Sequence, residues 1–410
     1  MKKLYILLLT NILIIHQISA QEISWQKTVN TRRDAQIRAT SDGGFVMGTS
    51  DIQLMKFDKN GILSWKFDLF NGRGKQDIHD VIALKDGGYF VMSETNYTDY
   101  PDRKNSVWIG KCDNTGKLIW QDRIGGTALA ILNSAIEDAQ GNIICVGFKR
   151  DLLENGDETD EKAWIIKLDN SGKLLWQKTL NGKKIIKCNK IQRISDKEYI
   201  ICADIVYDHF DTLKSDAWIA KIDDNGNLLW EKSYGNEDVK ETAKSGIVTK
   251  DGAYVFVGAN GDEKSKNNHG GNDFQVVKID KNGEELWSVL LGGKENDEAV
   301  GLIELPNENL VIIGNTYSND GDVGKSDLKE RDFFNYDAWV IKMNKDGNVI
   351  WKKTFGGTNE DILYNIELTN DNKVLIIGSS SSLDGDLKNF QREIDTFGDN
   401  WIFSIDMNKF

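Results

Sequence analysis

Proline is nearly missing from this sequence, at 2 of 410 residues, and histidine occurs only four times. So little proline excludes collagen-like and proline-rich extended chains, and a 40% hydrophobic content excludes a disordered polymer. Histidines 79, 209 and 269 each stand alone, with no His-Glu-x-x-His spacing for a metalloprotease centre. A Gly-x-Ser-x-Gly nucleophile turn is absent as well. Excess positive charge is also lacking. The formal net charge of −13 disfavours a grip on nucleic acid phosphates or on an anionic membrane surface. The longest apolar run, Leu4 to Ile15, is roughly 12 residues against the ~20 that cross a bilayer as a helix. With Lys2 and Lys3 before it and Ile18-Ser19-Ala20 after it, residues 1–20 read as a secretory signal peptide, and the chain is expected to be exported to the periplasm or the cell surface.

Cysteine is scarce too: Cys112, Cys145, Cys188 and Cys202. A chain of this length does not need disulfide staples. Three of the four replace aliphatic residues at matching places of an internal repeat, so buried free thiols are expected. The pairing with most support is Cys188 with Cys202, on neighbouring strands but not directly opposite.

What is abundant is tryptophan, at 12 residues, and its spacing organises the chain. One row runs Trp25, Trp65, Trp120, Trp176, Trp230, Trp287 and Trp351. A second runs Trp108, Trp164, Trp218, Trp339 and Trp401, with Gln53 and Gln275 in its two gaps. Each repeat reads as four short strands rich in β-branched and aromatic residues, bounded by Asp, Asn and Gly turns. The second complete unit gives His79 to Leu84, Tyr89 to Glu94, Val107 to Cys112 and Lys117 to Ile124. Between strands three and four a glycine stands four residues before the tryptophan at 61, 116, 172, 226, 283 and 347. That invariance predicts a positive φ. The last unit stops after Trp401-Ile402-Phe403-Ser404-Ile405, one strand short, while Ile23 to Thr28 is a fourth strand with nothing before it. Joining the ends removes the exposed edges. The expectation is all-β: one seven-bladed β-propeller over residues 21–410.

The string Asp113-Asn114-Thr115-Gly116-Lys117-Leu118-Ile119-Trp120 resembles the tryptophan-docking repeat of quinoprotein-like propellers. Asp337-Ala338-Trp339 through Trp351-Lys352-Lys353-Thr354-Phe355-Gly356-Gly357 is similar to the repeats of secreted propellers common in Bacteroidota. The resemblance spans residues 21–410 and implies the fold. Its matching residues are structural and imply no pyrroloquinoline quinone, since the vicinal cysteine pair and the longer eight-bladed chain are missing. For function it implies a scaffold, similar to the propeller lipoprotein of outer-membrane protein insertion, though the lipid-bearing cysteine is absent here.

The tryptophan rows, and the lysines at 56, 111, 167, 221, 278 and 342, recur once per blade and are read as structural. The loops differ more. Connections one–two and three–four are tight turns, whereas two–three and four–one are long and variable, and acidic where Glu237-Asp238, Asp297-Glu298 and Glu360-Asp361 recur. With Tyr97, Tyr100, Phe333, Phe334 and Tyr336, these carboxylates form the candidate partner-binding face. Asp320-Gly321-Asp322 and Asp384-Gly385-Asp386 offer hard oxygens to Ca²⁺, although Asp-Gly clusters are also ordinary turn chemistry. No other cofactor and no catalytic residue is expected. Two uses of the face stay open: a non-enzymatic scaffold, a monomer that holds a protein or envelope component, or recognition and processing of an envelope glycan by paired carboxylates and aromatics.

Overall fold

The computed structural model describes residues 23–31, 35–49, 52–69, 76–95, 105–151, 153, 158–180, 185–207, 214–236, 238–265, 267–324, 335–388 and 399–410. Their strands form seven four-stranded antiparallel sheets. Blades 1 to 6 occupy residues 36–68, 76–127, 129–180, 185–234, 245–291 and 297–355. Blade 7 takes three strands from 361–405 and its fourth, outer strand from Ile23–Val29. That strand pairs antiparallel with Asp399–Ile405, from Ile23 opposite Ile405 to Val29 opposite Asn400. The ring is therefore closed by its two ends, as the sequence predicts.

The middle strands of each blade are apolar on both faces, because each is covered by the neighbouring blades. Instead of a polar–apolar alternation they show continuous runs such as Leu310–Thr316 and Asp337–Met343, buried at every position. The outer strands alternate, as in Leu174–Leu180, with the tryptophan half-buried between exposed neighbours.

The two tryptophan rows do different work. Outer-row rings lie on the glycine turn of the next blade. A Cβ on Gly116 (φ +85°) would come within 2.5 Å of the Trp65 ring, and one on Gly172 (φ +86°) within 2.8 Å of Trp120. Only a residue without Cβ allows both the backbone conformation and the approach. Blade 7 has no such turn, because the chain's two ends meet there, and Trp351 stacks instead on Phe410, with ring centroids 5.0 Å apart. Inner-row rings are buried inside the blades, and the indole N–H groups of Trp108, Trp164 and Trp401 donate to Gln121, Gln177 and Gln26 at 2.8, 3.1 and 3.0 Å. The lysine row folds back onto the one–two turns, where Lys56, Lys111 and Lys278 meet Asp42, Asp86 and Asp251 at 2.9, 2.5 and 2.6 Å. All four cysteines are buried free thiols. Cys188 stands opposite Ala203, and Cys202 opposite Lys190.

Candidate functional site

The first strand of every blade faces the ring axis, and together the seven enclose a channel of about 900 Å³. Side chains there stitch blade to blade. Asn133 donates to the Cys188 carbonyl at 2.8 Å and Asn189 to the Ala243 carbonyl at 3.0 Å. Asp80 and Asp204 accept the backbone N–H groups of Ala135 and Ala243, at 3.0 and 2.8 Å. Arg38 lies between two carboxylates, with Asp80 at 2.9 Å and Glu367 at 2.5 Å. Burial opposes its charge, but those two carboxylates outweigh burial and raise its pKa further. Lys244 reaches Asp204 at 3.0 Å. His79 sits between Asn133 at 3.3 Å and Glu94 at 3.4 Å. Lys190 is different: no hydrogen bond or ion pair is made by its amine among the described residues. Burial and the nearby Arg38 charge push its pKa down to about 8, against the pull of Asp80 and Glu367.

At the loop-rich end, the second and third strands and the fourth and first are joined, as antiparallel pairing requires. Here Ser318 and Asp320 of blade 6 hold the segment entering that blade from blade 5. The Asp320 carboxylate accepts the Lys294 N–H at 2.9 Å, and the Ser318 hydroxyl accepts the Glu295 N–H at 3.1 Å. Blade 7 repeats the arrangement: Asp384 accepts from Thr358 at 2.8 Å and Ser382 from Asn359 at 2.9 Å. Gly321 and Gly385 have φ near +57° and +59°, where they pass the carbonyls of Gly292 and Gly356. The Asp386 carboxylate accepts the Gly356 N–H at 3.1 Å, while Asp322 lies 3.5 Å from His269 and 3.8 Å from Lys352. The four aspartates offered to calcium by the sequence are thus parts of two inter-blade clamps. Among the described residues no group of three or more His, Cys, Asp or Glu is gathered as a metal site.

The acidic pairs divide. Asp297 and Asp361 are fully buried, accepting from Gly293 and Gly357 at 2.8 and 2.7 Å and from the Ser318 and Ser382 hydroxyls at 2.9 and 2.8 Å. Neither presents a carboxylate to a partner. Burial lifts Asp297 to about 6, and Asp273 adds to this, although Thr316, Gly293 and Ser318 oppose it. Gly292 explains the proximity, because a Cβ there would lie 2.2 Å from an Asp273 oxygen and 2.7 Å from one of Asp297. Glu241 holds the matching place between blades 4 and 5, and burial lifts it to about 7, with Asp216 and Asp262 adding to the effect. By contrast Asp238 is exposed, and Glu298 is partly exposed, 3.8 Å from Lys240. Tyr336 stacks on Tyr317 with centroids 3.6 Å apart. Glu360 adjoins this surface, its backbone carbonyl accepting the Ser381 N–H at 2.8 Å. Tyr97, Tyr100, Glu237, Phe333, Phe334 and His209 lie outside the described residues.

A ring of seven tryptophan-docked blades with its ends joined defines a quinoprotein-like β-propeller. The family model described as outer membrane protein assembly factor BamB matches residues 14–199 and, overlapping, 108–316, and the chain belongs to that family. A curated relative, the regulatory protein FlaEY of Caulobacter vibrioides (strain ATCC 19089 / CIP 103742 / CB 15), is 28% identical over 197 residues, 43% of this chain and 19% of the relative. The chain therefore spans about a fifth of that relative's length. Among solved structures, BamB from Moraxella catarrhalis is 14% identical with a TM-score of 0.48, covering 94% of this chain and 99% of that one. YCF48 bound to D1 peptide is 10% identical with a TM-score of 0.52, covering 93% and 96%. At such identities YCF48 bears on the fold alone.

Proposed function

We propose that this chain is an exported, non-catalytic scaffold that holds a protein of the cell envelope on its loop-rich face. The observation that carries the reading is the difference between the two faces. At one end the connections are four-residue turns closed by their own hydrogen bonds, as where Asp113 accepts from Gly116 at 3.0 Å and Asp169 from Gly172 at 2.9 Å. At the other end, the two–three connections of blades 6 and 7 are clamped by Asp320 and Asp384 to the segments entering those blades, the first of them carries the Tyr317–Tyr336 stack, and the exposed Asp238 and partly exposed Glu298 lie at the same end. Rigid strands that hold elaborate loops are the usual arrangement of a recognition surface. Membership of a family named for outer-membrane protein assembly supports a protein partner and an envelope location. No helix among the described residues is long and apolar enough to cross a membrane. The non-catalytic reading is supported by the engagement of both described histidines, His79 with Asn133 and Glu94, and His269 with Asp273 and Asp322.

The test is site-specific photo-crosslinking in the native envelope. A photoreactive residue replaces Asp238 or Glu298 on the loop-rich face, or Lys281 or Asp346 on the turn face. A discrete protein adduct from the first pair only is expected. Adducts of equal yield from the second pair would place the partner on the wrong face. An adduct removed by glycosidase and not by protease would move the reading to glycan recognition.

A further inference from the structure

Two seams of the ring bury carboxyl groups in facing pairs. Asp216 and Asp273 stand at the start of the third strands of blades 4 and 5, and Glu241 and Asp297 stand where the chain enters the next blade. All four side chains are more than nine-tenths buried. Each pair closes around a glycine. A Cβ on Gly235 would lie 2.8 Å from Asp216 Oδ1 and 2.4 Å from Glu241 Oε2, and one on Gly292 would lie 2.2 Å from Asp273 Oδ1 and 2.7 Å from Asp297 Oδ2. Asp216 Oδ1 and Asp273 Oδ1 meet no hydrogen-bond donor among the described residues. The lysines of these segments are engaged elsewhere, Lys240 with Glu298, Lys294 with Asp320 and Lys352 with Asp322. A buried carboxylate oxygen without a donor is costly, and two carboxylates that face each other in a dry seam do not both stay ionised.

We propose that each of these seams is closed by one shared proton, carried by Glu241 or Asp297 and donated to the orphaned oxygen of Asp216 or Asp273, so that the loop-rich face tightens in acid and loosens in alkali. The surroundings decide which partner holds the proton. The second oxygen of Asp273 accepts the His269 backbone N–H at 2.8 Å and faces His269 Nδ1 at 3.0 Å, which favours its ionised form, and Asp322 lies 3.5 Å beyond on the far side of that ring. The second oxygen of Asp216 accepts the Tyr207 hydroxyl at 2.5 Å. Asp297 and Glu241 have only neutral donors: the Gly293 N–H and Ser318 hydroxyl for one, the Asn236 N–H and Asn260 amide for the other. Asp262 adds a like charge beside Glu241, and the Tyr336 phenol and Glu298 are the other titratable groups on the side of Asp297. The raised pKa values of both acids agree with this assignment. As pH rises through them, each seam releases one proton and is left with two facing charges. The Ser318 hydroxyl donates to Asp297 and accepts the Glu295 N–H, so the change reaches the clamp between blades 5 and 6 directly. This holds for the face itself, whatever docks on it.

Amide hydrogen exchange of the full chain is measured at about pH 5 and about pH 8, each rate being divided by the intrinsic rate at that pH. The Gly293 and Asn236 amides, which donate to Asp297 and Glu241, are expected to lose roughly tenfold in protection at the higher pH, while the interior strands of blades 2 and 3 keep theirs. Asp297→Asn places an amide where the shared proton lay. It should keep the Gly293 amide protected at both pH values and leave the Asn236 amide as responsive as before. Carbon-13 carboxyl spectra of unmutated protein give a readout that needs no variant to fold, in which two buried carboxyls titrate at about 6 and about 7. Equal protection of the seam amides at both pH values, an Asp297→Asn seam that still loosens, or spectra without a carboxyl titrating above the ordinary range would each overturn the proposal. So would protection regained at the higher pH with calcium chloride and not with sodium chloride, which would assign the seam to a bound cation.

Discussion

At the scale of single residues, the fold depends on a few positions where a Cβ or a charge does not fit. Gly116 and Gly252 have similar backbones, φ +85° and +82°, but only Gly116 faces a ring, while nothing lies within 4 Å of a Cβ on Gly252. Both alanine variants carry the left-handed cost of about 1–2 kcal/mol. Gly116→Ala adds a collision with Trp65, worth about 1–3 kcal/mol more. Urea unfolding should therefore rank Gly116→Ala clearly below Gly252→Ala, and equal losses would mean that the tryptophan is not docked. The buried carboxylates give a prediction of different form. Asp297 and Glu241 have folded pKa values raised to about 6 and about 7, so between pH 5 and 7.5 the folded chain binds protons that the unfolded chain does not. Stability from these groups is present at low pH and is lost as pH rises through those values. Asp251, lowered to about 2 by its hydrogen bonds to Lys278 and Thr249 against the effect of burial, acts oppositely and is lost only in acid. The unfolding free energy should accordingly be higher near pH 5 than at pH 7.5, by on the order of 2 kcal/mol. Asp297→Asn should flatten that slope, and a slope of opposite sign would show that the buried carboxylates are ionised without cost.

At the scale of elements, the two Ser-x-Asp-Gly-Asp segments, Ser318 to Asp322 and Ser382 to Asp386, do the same work at successive seams. Each ties a two–three connection to the chain entering its blade, through a carboxylate and a hydroxyl that accept backbone N–H groups. Removing such an acceptor leaves a donor unpaired, so Asp384→Ala should cost about 1–2 kcal/mol in equilibrium unfolding. A calcium chelator should leave the wild-type midpoint unchanged, whereas a fall matching that of Asp384→Ala would assign the segment to a bound ion. These segments also mark how far local sequence reaches. Asp-Gly-Asp reads equally as calcium ligands or as a turn, because its partners, Lys294 and Thr358, are 26 residues away. The strands, the glycine turns and both tryptophan rows were legible because they recur once per blade and repetition separates them from chance. The channel was not, because Arg38, Asp80, Asn133, Lys190, Lys244 and Glu367 differ from blade to blade and share only their place on, or for Lys244 just before, the first strand. Comparing strand positions across repeats, rather than residue types, is the signal that would have found them.

At the scale of the whole molecule, the ring is held by contacts that join its two ends, and these are unequal. The strand Ile23–Val29 supplies the outer ladder of blade 7, puts Trp25 against Gly61 of blade 1, and supplies Gln26, which accepts the Trp401 indole N–H at 3.0 Å and donates to the Asp386 carbonyl at 2.8 Å. Phe410 at the other end stacks on Trp351, and its carbonyl accepts from Lys342 at 2.6 Å. The first set completes a sheet, whereas the second caps one finished by other strands. A propeller blade left with three strands exposes a row of unpaired N–H and C=O groups, and the neighbouring seam loses its docked ring. A chain beginning at residue 31 should therefore unfold at a much lower temperature than one beginning at residue 21 and run on size exclusion as aggregate or dimer. A chain ending at residue 407 should lose only a few degrees and stay at its original size. Supplying the peptide of residues 21–30 in excess should restore part of the lost stability, since binding to the folded form alone shifts unfolding by mass action. If both truncations cost the same, or the peptide restores nothing, closure is shared among all seven seams rather than concentrated at blade 7.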